Sequence, residues 1–287
     1  MCVDRSSLKH NFLKQIILRF DYDGIVSNEL ENYIVSLKHN LFSYGYDKFD
    51  RRTMNQFDLN LKTELGIPDE NSISLNNFNS SYVYCFSASE DGNKGSIEIG
   101  ESFFTFTVDV NDIYKGFDEY VTIITEVVDG LKNVTQYFKP LRIGLRKIAV
   151  CYIKDLNFLA SYFKNGTFNV TDTLAQFYNS KCLASNMVTV LEVDGYSVNY
   201  VRNLQEGTMK ADSGDEETVY QVVLDIDVYR EDYRELNNLL ETVDSVKETL
   251  GKQNQIEFDL FINSLTEYFV GVLKQETLSC NELMGVK

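Results

Sequence analysis

Phe103–Val110 reads FFTFTVDV, and the alternation of its side chains decides the fold. Successive strand residues point to opposite faces, so Phe104, Phe106, Val108 and Val110 share one side, and Phe103, Thr105, Thr107 and Asp109 share the other. The first face is wholly apolar and needs covering, while the second tolerates water, which is the pattern of an antiparallel sheet sealed on one side. Tyr82–Ser87 and Gly95–Ile99 precede it as two further strands, joined by a turn around Asp91-Gly92, and the three make a meander. The cover comes next in the chain. Phe117, Tyr120, Ile124, Val127, Val128 and Leu131 recur at helical steps with Asp118, Glu119, Glu126 and Asp129 opposite, which predicts an amphipathic helix lying on the sheet.

Working outward, Phe12–Asp21 is apolar and β-branched at its centre, as a buried strand requires. Ser27 or Asn28 can then cap a helix carrying Leu30, Ile34, Leu37 and Leu41, with Glu31 three residues after Asn28 as in a capping box, and the helix ends near Gly45. Residues Asp47–Asn79 are rich in Asn and Ser and read as a connecting excursion holding a short strand or helical turn. Leu141–Ile153 (LRIGLRKIAVCYI) is a long strand, with a bulge or bend expected at Gly144. Thr171 starts a short helix, Val188–Val193 and Tyr196–Leu204 form a hairpin through Asp194-Gly195, and Val219–Tyr229 is a further strand. A helix bearing Leu236 to Leu250 should stop at Gly251, and a last one should run from about Ile256 to Lys274.

The order strand, helix, three strands, helix therefore occurs twice. The fold class is α+β, with two antiparallel-sheet halves, residues 1–138 and 139–287, helices on one face of each, and an extra helix ending the second. The repetition suggests a tandem duplication whose halves join into one wide curved sheet.

Composition narrows the function classes. With 27 Lys and Arg against 43 Asp and Glu, the formal charge is -16, so the mean field repels phosphate backbones and anionic lipid. Nucleic acid and membrane are thus disfavoured partners, whereas an acidic face suits a basic protein. Five cysteines without a C-x-x-C pair read as reduced thiols, and no stretch resembles a membrane span or signal peptide, so a cytoplasmic location is expected. The sequons at Asn133 and Asn165 then carry no meaning.

The segments LKHNFLKQIILRFDY (8–22), RIGLRKI (142–148) and IEFDLFINSLTEYF (256–269) followed by LMG (283–285) resemble three landmarks of a sporadically distributed, uncharacterised bacterial family with a central RIGLR strand. Its members continue after the second Arg with an aromatic residue and Asn, where this chain has Lys147 and Ile148. The resemblance implies no established activity, substrate or catalytic residue. The family's patchy occurrence is like that of mobile or antiviral-defence genes, which is the only functional hint it supplies.

Three groups of residues could carry chemistry. Asp21 with Asp23, and Asp225 with Asp227, are Asp-x-Asp pairs, each placed on one sheet face by the two-residue period. They could hold Mg²⁺ for phosphoryl or nucleotidyl transfer, although a solvated strand in any acidic protein has the same pattern. Arg142 and Arg146 share a strand face, with Arg19 in the same layer, and could grip an anion or nucleic acid, or else neutralise Asp21, Asp225 or Asp227 across the sheet. The polar stretch Glu206–Glu217, with Asp212, Asp215, Glu216 and Glu217, reads as a loop able to dock a basic partner. Catalytic equipment is otherwise thin: His10 and His39 lack companions at zinc spacing, no G-x-S-x-G elbow occurs, and GNKG (92–95) reads as a hairpin. The expectation is a non-enzymatic binding or regulatory protein, without a cofactor, that holds a partner protein, in a bacterial defence or toxin-antitoxin type system. A Mg-dependent transferase and a nucleic-acid binder are the alternatives, and the oligomeric state stays open.

Overall fold

The computed structural model describes residues 3–64, 67–89, 95–110, 116–168, 181–210, 216–277, 283 and 284. The first half contributes β1 (Leu13–Asp23), α1 (Ser27–Ser43), β2 (Lys48–Glu64), β3 (Ile67–Ser87), β4 (Ser96–Ile99), β5 (Phe103–Asp109) and α2 (Asp118–Lys132). The second contributes β6 (Lys139–Ile153), α3 (Leu159–Tyr162), β7 (Ala184–Val193), β8 (Tyr196–Lys210), β9 (Glu216–Arg230), α4 (Tyr233–Leu239), α5 (Val243–Ser264), α6 (Glu267–Leu273) and β10 (Leu283–Met284). All ten strands belong to one antiparallel sheet, in the order β2-β3-β4-β5-β1-β6-β9-β8-β7, with β10 paired to the end of β6.

β1 is central because it is apolar enough to be flanked on both sides: Ile16, Leu18, Phe20 and Tyr22 are fully buried between β5 and β6. Phe104, Phe106 and Val108 lie on the same face, as the alternation requires, and join Ile124, Val127 and Leu131 of α2 and Leu30, Ile34 and Leu37 of α1 in one apolar cluster. A second cluster holds Val222, Leu224 and Ile226 of β9 against Phe261 and Ile262 of α5 and Phe269 of α6. The first cluster also takes Leu236 and Leu250 from the second half of the chain, and the second takes Phe12 from the first. At about 25 cal/mol per Å² of apolar surface removed from water, these two layers are the main stabilising term.

The structure corrects several expectations. Asp47–Asn79 is no excursion: β2 and β3 pair from Lys48↔Ser87 to Glu64↔Ile67 as a long hairpin. Backbone pairing needs no apolar side chains, so a polar sequence hid it, and the stacking of Phe49 on Tyr84 and its contact with Phe86 anchor the hairpin's base. No bulge lies at Gly144; the register shifts of β1 against β6 fall at Leu13/Gln15 and Asp21/Tyr22. Glu206–Lys210 and Glu216–Glu217 are not loop but the ends of β8 and β9, paired Lys210↔Glu216. Gly251 does not close a helix. It lies inside α5, and the breaks fall instead before Thr242 and Thr266, whose hydroxyls accept from the amides of Ser245 and Phe269. The Asp194-Gly195 hairpin is as expected, with φ positive at both residues (50° and 76°), as the tightest hairpin turn demands. The helix expected from Thr171 and the turn around Asp91-Gly92 lie outside the described residues.

Candidate functional site on the open sheet face

The alternation that buries one face of the sheet presents the other. Thr105 of β5, Arg19 of β1, Gly144 of β6, Tyr229 of β9 and Ser197 of β8 follow one another across it in register. Ile17, Arg146, Asp227, Asn199 and Val190 form the next row. Among the described residues the helices pack on the opposite face, as the membership of both apolar clusters shows.

At the centre of the open face the basic and acidic candidates meet. Arg146 donates through Nε and Nη2 to the two carboxylate oxygens of Asp225 at 2.8 and 2.6 Å, a bidentate pair. Arg142 donates through Nη2 to Asp227 Oδ2 at 2.8 Å and lies 4.6 Å above the Tyr229 ring. Gly144 makes room for it, since a Cβ there would stand 2.8 Å from Arg142 Nη1. Arg19 donates to Asp21 Oδ1 at 2.7 Å along its own strand. The three guanidiniums are thus answered by Asp21, Asp225 and Asp227, with Glu231 a further partner of Arg142 at 3.8 Å, and they line a depression of about 290 Å³ together with Asp21 and Asp227.

The electrostatics follow from this pairing. The hydrogen bonds that Arg146 donates to Asp225 raise its pKa above its ordinary value, against the opposing effect of burial. Burial pushes Asp227 above the usual carboxylate range, despite the lowering influence of Arg142 and Arg146. Asp23 stands apart at the end of β1, exposed, its carboxylate accepting from the Gly24 amide at 2.7 Å. Among the described residues no three His, Cys, Asp or Glu side chains are grouped to hold a metal ion. The cross-strand pairing expected of Arg142 and Arg146 is therefore present; Asp21 lines the same depression as Asp227 but is answered by Arg19 along its own strand, and Asp23 stands apart from both. Glu217 pairs with Lys154 at 3.0 Å, and Asp212 and Asp215 lie outside the described residues.

The open face also carries apolar groups. Val188 and Val190 of β7 are 63% and 67% exposed, opposite Val201 and Asn199. One ionic element escaped the sequence reading: Lys147 and Glu257 are paired at 2.7 Å on the helix side of the sheet, each almost fully buried. The signal was present, because the period that exposes Arg146 places Lys147 between Leu145 and Ala149 on the buried face.

Fold and site together define a class: an α+β protein with one broad antiparallel sheet, the described helices on one side, and an Arg–Asp network on the other. Compared with protein-family models and with curated proteins, the chain matches none. No described helix is long and apolar enough to cross a membrane.

Proposed function

We propose that this chain is a binding or regulatory protein, not an enzyme, that holds a basic protein partner on the open face of its sheet, as an accessory component of a bacterial defence or toxin-antitoxin type system. The observation that carries the proposal is the face itself, uncovered by the described helices and mixing exposed valines with a fixed Arg–Asp network. Interfaces commonly combine an apolar centre, arginine and a polar rim, and the charge of -16 draws basic surfaces towards it. The paired state of Asp225, Asp227, Arg142 and Arg146 favours this reading over metal-dependent transfer or anion capture, each of which would have to break two ion pairs first. The bacterial setting rests on the RIGLRKI resemblance alone.

The test is affinity capture from extracts of the native host, followed by weighing the purified complex. A stoichiometric partner is expected with the wild-type chain and with Val35→Lys on α1, and should be lost with Val188→Lys plus Val190→Lys. An inert monomer, or a partner retained by the double variant, would overturn the proposal.

A tandem origin belongs to the same reading. The first half runs β2-β3-β4-β5-β1 and the second β6-β9-β8-β7, so the first half has four strands after α1 where the repeat expects three; with β2 set aside as an addition, the mirrored order β3-β4-β5-β1 and β6-β9-β8-β7 supports a duplication.

A further inference from the structure

On the side of the sheet opposite the open face, the N-terminal segment crosses β6 and α5 and leaves a cavity of about 250 Å³. Its polar lining reverses the sign of the molecule: Arg5, Lys9 and Lys147 stand against Glu257, and with Lys9 also answered by Glu276 at 3.4 Å outside the lining the balance is still positive. In a chain of net charge -16, such a pocket is a local well for anions. Its remaining wall is largely apolar, with Leu8 and Leu13 on one side and Ala149, Phe258 and Phe261 on the other.

The donors are held in place. Lys147 Nζ donates to Asn254 Oδ1 at 2.6 Å and Glu257 Oε2 at 2.7 Å, which uses two of its three N–H groups. Arg5 donates to the Asn254 carbonyl at 2.7 Å and lies 4.4 Å above the Phe258 ring. His10 is fixed by its backbone amide, which donates to the Leu273 carbonyl at 3.0 Å. Both of its ring nitrogens are nevertheless shielded from solvent and, among the described residues, have no hydrogen-bond partner. A shielded imidazole so left carries the desolvation penalty of an unmade hydrogen bond, which a turn of the ring towards an acceptor bound in the cavity would remove.

We propose that this cavity binds a small carboxylate with an apolar body, the carboxylate accepting from His10 and Lys147 while the body lies against Phe258 and Phe261. Burial lowers the pKa of Lys147 from the ordinary lysine range, with Glu257 opposing, and a bound carboxylate would add a second acceptor charge to a desolvated ammonium. A phosphate fits the cavity less well: its second charge would face Glu257, and the apolar wall would go unused.

Calorimetric titration of the full chain with benzoate, benzyl alcohol and inorganic phosphate tests this. Benzoate is expected to bind saturably at one site, with benzyl alcohol and phosphate each about tenfold weaker or worse, the worth of one charge-assisted hydrogen bond. His10→Phe should weaken benzoate by a similar factor, and Val35→Lys, at an exposed position of α1, should leave it unchanged. The chain has only two histidines, so imidazole NMR of the wild type needs no variant: benzoate should shift His10 and leave His39 in place. Benzoate binding no tighter than benzyl alcohol, phosphate binding as well as benzoate, or an unshifted His10 would each overturn the proposal.

Discussion

Lys147 and Glu257, the buried pair, are the two residues on which the fold is most easily tested. Removing one partner leaves a charge without an answer in the helix-covered layer, so Lys147→Met should cost about 3–5 kcal/mol in chemical denaturation. Lys147→Met combined with Glu257→Leu should recover most of that loss, because two apolar groups need no partner. A single variant as stable as the wild type would show that the pair is solvated. Asp227 tests the open face by pH. Its pKa is raised on folding by burial, so the folded state binds its proton more tightly, and its contribution to stability is full below the unfolded value and lost as pH rises through the folded one. The stability of the wild type relative to Asp227→Asn should therefore fall as pH is raised from about 4 towards neutrality, starting near the ordinary Asp value. A wild-type advantage that grows with pH would mean that Arg142, not burial, governs this carboxyl.

At the level of elements, period-two and helical spacing made β1, β5, β6, β9, α1 and α2 legible, because each buries one face and its apolar residues must recur accordingly. The hairpin of β2 and β3 was not legible, since its pairing is carried by backbone groups and its composition resembles that of a loop. The C-terminal helices were misdivided because Gly251 was given the weight that belongs to Thr242 and Thr266 as caps. This correction has a sharp consequence. Gly251 is exposed, its φ is not positive and nothing lies within 4 Å of a Cβ built there, so Gly251→Ala should raise stability by about 0.5–1 kcal/mol. Were it a left-handed terminus, the same change would destabilise. Thr242→Ala should cost about 1 kcal/mol, read from thermal or urea unfolding. The Arg–Asp network of the site was legible as a face but not as a set of partners, because the period assigns sides whereas only the register of β6 against β9 assigns neighbours.

For the whole molecule, the ten strands bring both halves of the chain into one sheet, and the helical layer shares apolar residues between them. What a partner can reach is then set by which side of the sheet is bare. Carbene footprinting of the isolated chain measures that side directly, side chain by side chain. Val188, Val190 and Phe103 should take label well above Val198 of β8, Val222 of β9 and Phe104 of β5, which belong to the same sheet but face the helices. Equal, low labelling of both sets would mean that another part of the chain lies over the face assigned to the partner.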